Sequence, residues 1–403
     1  MQDVPPPYTE VARHGVFPEP THDEAARFNF LANLNRHLAT VLGAGNRLAW
    51  EKRAGPAFVA EHGREPKDRF EIRRAMNRDP YHRFWSALKR NSMEMRQQNG
   101  RSIVLRQAHE LAARAAQYNQ RDTLELDPSV ETPRYQAAVD IHCMPGSYHG
   151  ELFEGDVSAG ANYDCGIFAT TGGGLGALSD GGGQALVKWI RETRPGWAPR
   201  RILDIGCTIG HNAVPLAVAF PDCEVIAIDT AAPVLRYGHA RAQSLGVTNI
   251  RFIQMNAEDL SRFPDGHFDW VQTTMFLHET SGKALPRILA EGARVLAPGG
   301  LMLHLEQPAY TDEMPLFEQF LRDWDAFNNN EPFWSAMHAL DVPAIMEAAG
   351  LPREGQFTAR VKAVVDRSVF PEAPDGEGED HGRAAVWDAY GAWKPAEAAR
   401  KAA

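Results

Sequence analysis

Residues 201–219 read RILDIGCTIGHNAVPLAVA, and the fold follows from this stretch. A β-branched run at 202–205 feeds a glycine turn at 206–210, and an apolar helical pattern follows from Val214. A buried strand, a sharp turn and a helix in that order open a nucleotide-binding α/β unit. Gly206 and Gly210 allow the backbone to turn tightly and approach a ligand, and the amides that start the next helix favour polar or negative groups. Asp204, one residue before the strand ends, is placed to orient the turn or to accept from a ligand amine. A dinucleotide fingerprint needs glycine at the first, third and sixth positions of such a turn. Those positions hold Gly206, Thr208 and His211, which argues against a dinucleotide and against a dehydrogenase.

The segments that follow repeat the strand and helix alternation. EVIAID at 224–229 reads as a second buried strand, ending in a carboxylate about twenty residues past the glycine turn, the offset at which Asp229 accepts from both hydroxyls of a ribose. A helix is expected at 231–245, a third strand at 249–254, and MNAEDL follows at 255–260. FDWVQT at 268–273 reads as a fourth strand and leads into TMFLHE; a helix at 283–296, a turn at 298–300 and a fifth strand at 301–306 complete EGARVLAPGGLMLHLE.

The glycine turn resembles motif I of class I S-adenosylmethionine-dependent methyltransferases, D-x-G-x-G-x-G, with Thr208 at the middle glycine. MNAEDL resembles the adenine-binding turn of that family, and 268–306 is similar to its ubiquinone and menaquinone type; the resemblance spans about residues 201–351. It implies an α/β, Rossmann-like, seven-stranded class I methyltransferase core with S-adenosyl-L-methionine as cofactor. The residues it implies for the cofactor are Asp204, Gly206, Cys207, Thr208, Gly210, Asp229, Thr230, Asn256, Ala257, Glu258 and Thr273. An aspartate is common in the family where this chain has Asn256, so the adenine contact falls to Asn256, the Ala257 amide or Glu258. Cys207 reads as a small apolar filler of the loop rather than a reactive thiol.

At 403 residues the chain exceeds such a core, so a further domain or large elaboration is expected. The formal charge of −10 argues against a nucleic-acid partner, and Arg69, Arg73, Arg74 and Arg78 read as a solvated helix face. The four cysteines form no C-x-x-C pair, no apolar run of membrane-spanning length occurs, and the start MQDVPPPYTE is polar and proline-rich. A reduced, cytoplasmic protein with no membrane association is expected.

Residues 1–20 are expected to form a disordered arm. Residues 21–180 are expected to form an N-terminal helical lid or dimerisation region, 181–394 the cofactor-binding domain and 395–403 a tail. Thr21 and Glu24 suit a capping box ahead of a helix that Gly43 and Gly45 are expected to stop, with further helices at 68–77, 82–98 and 102–116. This extension suits either a lid that excludes water from the reaction or a homodimer contact. DIHCMPGSYHGELFEG at 140–155 concentrates ligating and loop residues without a zinc spacing, and Tyr148, His149 and Tyr163 are candidates for a lid or pocket wall. The glycines at 172–183 suit a hinge rather than a phosphate loop, and lead into a helix at 184–192. Helices at 315–327 and 342–349, a sixth strand at 356–365, an exposed acidic loop at 367–382 and an antiparallel seventh strand at 385–394 on the sheet edge are expected after the fifth strand.

Ligands of open α/β sheets bind at the carboxyl ends of the strands, where His278 and Glu279 follow the fourth strand and Glu306 and Gln307 end the fifth. His278 is the candidate general base for an oxygen or carbon acceptor, and Glu279 is a second catalytic candidate that orients His278, forms a structural pair or acts itself. A metal held by His278 with Glu306 or Gln307 is a weaker variant, so no metal is expected. The function these residues support is methyl transfer to a small organic acceptor. Sulfur or nitrogen methylation of a small acid without a base, and a non-catalytic cofactor-binding protein, are the alternatives.

Overall fold

A computed structural model of the protein, described over residues 4–370 and 385–396, contains one eight-stranded sheet. In chain order the strands are β1 (Leu124–Glu125), β2 (Arg201–Ile205), β3 (Glu224–Asp229), β4 (Ile250–Gln254), β5 (Phe268–Thr274), β6 (Leu296–Glu306), β7 (Gln356–Lys362) and β8 (Val386–Trp393). Their spatial order is β1-β4-β3-β2-β5-β6-β8-β7; β1 to β6 are parallel, and β8 is antiparallel to both its neighbours. Alternate residues of β2 enter opposite cores. Ile202 packs with the helices Gly181–Thr193 and Ala213–Ala219, while Leu203 and Ile205 pack with Ala284–Val295. Burial on both faces is why the central strands read as near-continuous apolar runs. The strand order reverses between β2 and β5, which places a ligand cleft at their carboxyl ends.

Four expectations about the sheet change. An eighth strand, β1, comes from the N-terminal region and pairs Leu124 with Phe252 and Glu125 with Ile253. The last strand is not at the edge: β8 is buried on both faces, whereas β7 exposes Thr358 and Arg360 and takes the outer position. The expected turn at 298–300 lies inside β6, because Leu296 pairs with Phe268 and Leu301 with Trp270, so the residues between them bulge out opposite Asp269. The sixth expected strand ends at Lys362 rather than 365.

The N-terminal arm, over its described residues, packs on the rest of the chain. Tyr8, Val16 and Phe17 are buried, the Tyr8 hydroxyl donates to the Cys165 carbonyl at 3.1 Å, and His14 Nε2 lies 2.8 Å from Asp164 Oδ2. Several buried apolar anchors offset the chain entropy that the proline-rich composition alone suggests would win. Thr21 and Glu24 form the expected capping box, each accepting from the other's amide. Gly43 and Gly45 do not stop the helix. The helical run continues through α- and π-helical turns to His62, and Gly45 is required because a Cβ there would strike the Tyr81 ring. Gly100 likewise sits within one helix, Pro80–Arg106, where a Cβ would meet Asn162; Pro80 is its first residue, capped by the Asp79 carboxylate. The helix after the glycine-rich segment starts at Gly181 rather than 184, since Gly183 packs directly on the Asn212 carbonyl. Arg69 and Arg73 are not a free surface face: both reach Asp323 on the helix Leu316–Asn328, at 3.9 and 3.0 Å. Of the expected exposed loop, Phe370 is buried and 371–382 lie outside the described residues, as do 397–403 of the expected tail.

One apolar cluster joins the arm (Tyr8, Phe17), the helix Pro80–Arg106 (Ile103, Val104) and the core helix Ala232–Ser244 (Val234, Tyr237). Phe17→Ala is therefore expected to destabilise the whole chain by about 3 kcal/mol in chemical denaturation, and a change below about 0.5 kcal/mol would mean that the arm is an appendage.

Candidate active site

The turn after β2 is built from left-handed residues, with Gly206 at φ 72°, Thr208 at φ 50° and Gly210 at φ 69°. The glycines serve the protein's own packing rather than ligand approach. A Cβ on Gly206 would run into the Phe276 ring, and one on Gly210 would meet Phe252. Thr208 adopts the left-handed region at a cost on the order of 1–2 kcal/mol, and its amide donates to Asp229 Oδ2 at 3.0 Å. The turn's amides are spent internally: those of Gly206 and Cys207 donate to the Ile228 carbonyl and that of Gly210 to the Cys207 carbonyl. The amides expected to be free were those that start the following helix, and there Ala213 and Val214 both donate to the Gly210 carbonyl.

A cavity of about 190 Å³ opens at the carboxyl ends of β2, β3 and β5. Asp204, Gly206, Cys207, Thr208, Asp229 and Thr230 line one side of it, and His278, Glu279, Tyr148, His149 and Tyr163 are also in its wall. Burial pushes the Asp204 carboxyl up to about 7, against a hydrogen bond from Gln272 Nε2 at 2.9 Å. Burial likewise raises Asp229 to about 6, although the amides of Thr208 and Ala231 each hold one of its oxygens.

Other expected residues stand apart from the cavity wall. Gly210 is packed under Phe252, and Thr273 Oγ1 lies 2.9 Å from His304 Nδ1. Asn256 Oδ1 accepts the Glu258 amide, Ala257 packs in the core, and the Glu258 carboxylate pairs with Arg287. Gln307 points away and donates to the Val386 carbonyl, so it does not converge with His278 on a metal position.

Glu306 is fully buried behind the wall, and its Oε2 lies 2.6 Å from His278 Nδ1. Its Oε1 accepts the amides of Phe276 and Leu277 at 3.1 and 2.7 Å, which fixes the carboxylate before it meets the ring. Burial opposes charge on His278, but Glu306, followed by Glu331 and Glu279, outweighs it and holds the imidazole above its ordinary value. No residue described donates to or accepts from Nε2. The ring also packs on Trp334, with centroids 4.3 Å apart.

Glu279 is held differently. Its Oε1 accepts from the Tyr148 hydroxyl at 2.9 Å and faces His142 Nε2 at 3.3 Å, so it does not orient His278 directly. His142 Nδ1 lies 2.8 Å from Glu331 Oε1, and both His142 and Cys143 adopt positive φ. The two carboxylates push the His142 imidazole up to about 10 against the opposing effect of burial. His142, Glu331, Trp334 and Gln136 line the cavity and were not among the site residues read from sequence. Glu331 lies in no motif and 189 residues from its histidine partner. Gln136, which accepts from the Thr230 hydroxyl at 2.9 Å, comes from the extension.

A family profile described as a methyltransferase domain matches residues 202–300. The demethylmenaquinone methyltransferase of Geobacillus kaustophilus is 31% identical over 172 residues, which cover 39% of this chain and 70% of that protein. The chain belongs to the class I S-adenosylmethionine-dependent methyltransferases. The demethylmenaquinone methyltransferase of Thermus thermophilus is 37% identical over 111 residues, 28% of this chain and 49% of the relative, so the chain spans about half the length of that protein. Among solved structures, the YcgJ protein of Bacillus subtilis is similar at 22% identity, covering 52% of this chain and 97% of its own, with a TM-score of 0.37. The cofactor of this methyltransferase is S-adenosyl-L-methionine, and the residues present suit it. Each oxygen of Asp229 is anchored by one amide and keeps a lone pair for a ribose hydroxyl, and a cationic amine beside Asp204 would favour its ionised form. Asp229→Asn is expected to weaken binding of S-adenosylhomocysteine by about 10- to 100-fold in calorimetric titration, the loss of one charged hydrogen-bond partner.

Proposed function

We propose that this methyltransferase transfers a methyl group to an oxygen or carbon of a small organic acceptor, with His278 as general base and Glu306 as its positioning residue. The 2.6 Å contact between His278 Nδ1 and Glu306 Oε2 supports this reading most directly. Glu306 holds a proton on Nδ1 and leaves the lone pair of Nε2 for the acceptor proton, as a carboxylate does for a catalytic imidazole. S-adenosylmethionine supplies the electrophilic methyl group when bound. Tyr148, His149 and Tyr163 wall the acceptor, and enclosure by the loop at 140–155 excludes water from the exchange.

His278→Gln is expected to lower kcat by about 10²- to 10⁴-fold, with the affinity for S-adenosylhomocysteine unchanged. The acceptor for this assay comes from a screen that reads transfer of a labelled methyl group. No labelled product from any acceptor, with the cofactor bound, would instead support a non-catalytic binding protein. A silent His278→Gln would support sulfur or nitrogen methylation without a base. The neutral ring is the active form and its proton affinity is raised, so kcat is expected to rise with pH through a limb above 6.5. In Glu306→Gln that limb moves to lower pH and kcat falls.

We also propose that the protein is cytoplasmic and dimerises through its N-terminal helices. The four cysteines are buried and none is in a disulfide, which supports a reducing compartment, and no described helix is long and apolar enough to cross a membrane. Phe30, Val41 and Leu48, each more than half exposed along the first helical run, support a partner surface. Light scattering is expected to give twice the chain mass, and replacing these three residues by lysine to halve it; a monomeric wild type would overturn the dimer.

A further inference from the structure

Glu279 and Glu331 present an unusual pair of carboxylates to the cavity. In each, one oxygen is committed: Oε1 of Glu279 to the Tyr148 hydroxyl and His142, and Oε1 of Glu331 to His142. The other oxygen of each, Oε2, meets no donor among the described residues, although the two side chains are only 9% and 3% exposed and both residues line the cavity. Neither Oε2 is among the polar atoms sealed from the surrounding space without a partner, so both open onto the cavity. Two anionic acceptors fixed through their first oxygens and open at their second are a costly arrangement in a buried site unless a donor satisfies them.

The surroundings select the kind of donor. The rings of Tyr148 and Tyr163 stand 5.8 Å apart in an edge contact, and Trp334 lines the same cavity. Of the cations nearby, His142 is shared by the two glutamates, and Arg96, also in the lining, turns its Nε to the Gly166 carbonyl at 3.0 Å. Asp325 adds a further carboxylate to the lining. Carboxylate oxygens beside aromatic faces suit a cation that donates several hydrogen bonds, whereas an anionic group there would face like charge in a poorly hydrated site.

We propose that the acceptor carries a protonated amine, which Glu279 and Glu331 bind through their open oxygens. The inference rests on the acceptor occupying this cavity, as proposed above, and it names the acceptor's class as an aminated small molecule. An amine held protonated by two carboxylates has no lone pair to attack with. It is the anchor, and the methylated oxygen or carbon is a different atom, presented to His278.

Benzylamine, benzyl alcohol and benzoate share a shape and differ in charge, so the three are titrated by calorimetry against the full chain with and without saturating S-adenosylhomocysteine. Benzylamine is expected to bind about tenfold or more tighter than benzyl alcohol, and benzoate more weakly than either. Glu331→Gln and Glu279→Gln are each expected to weaken benzylamine by about 10- to 100-fold, the loss of a charge-assisted hydrogen bond, while S-adenosylhomocysteine binds as before and reports the fold. Equal binding of the three, preference for benzoate, binding of none of them, or an amine preference that survives both substitutions would overturn the proposal. Failure of S-adenosylhomocysteine to bind the wild type would count against the cofactor site alone, because the amine preference is read separately in the titration without it.

Discussion

The carboxylate of Asp229 is the point on which the cofactor end of this structure depends. It closes β3, and its two oxygens take the amides of Thr208 and Ala231. The first bond ties the turn after β2 to the end of β3, and the second starts the helix Ala232–Ser244. Thr208 can occupy a left-handed backbone position, unfavourable for a β-branched residue, because this bond and the neighbouring amides donating to Ile228 over-determine the turn. Burial raises the proton affinity of Asp229, and the same amides oppose that rise by favouring the charged carboxylate.

From that point the extension and the core become hard to separate. Gln136 accepts from the hydroxyl of Thr230, the residue after Asp229, and Tyr237 of the following helix donates to Asp164 at 2.9 Å, the carboxylate that also meets His14 of the arm. The loop at 140–155 is fixed to the core by Tyr148 on Glu279 and, in the exposed direction, by Arg236 on Glu151. The short strand β1 adds main-chain pairing on the edge beside β4. The region that composition and spacing marked as a lid is therefore bonded to the cofactor side of the sheet at several separate places. Motion that admits an acceptor has to break a subset of these contacts, and the His142 bridge is the one that reaches into the cavity from the loop.

What the sequence made legible follows from the range of the interactions involved. The strands β2 and β3 were readable because burial on both faces forces uninterrupted apolar residues, and Asp204, Asp229 and His278 because they stand at the ends of such strands. Glycine misled where its role is steric and long-range. Gly45 and Gly100 look like helix stops, yet each is a contact position for Tyr81 or Asn162, and only the tertiary neighbour explains the missing side chain. β1 has two residues and no periodicity to detect. Glu331 carries no local signal either; His142 stands in the segment 140–155 that its ligating residues mark, but its bridge exists only once that loop and the segments carrying Glu279 and Glu331 are assembled. The adenine-turn residues were recognised as a motif, but their side chains are largely used to hold the turn itself.

The glutamates in and behind the cavity wall also show how one kind of side chain is given different work by its neighbours. Glu306 is fully buried, accepts two backbone amides and has a single histidine to hold; with its lone pairs directed inward it acts on His278 and offers nothing to a ligand. Glu279 and Glu331 share one imidazolium between them, which leaves each with a free oxygen and makes the bridge as a whole negative. Removing His142 would not create a better anion site or a better base. It would leave the committed oxygen of each glutamate without the partner they share, a cost in a buried wall. The histidine thus joins two acids in one buried wall while leaving one oxygen of each open, and the proposed amine takes those oxygens.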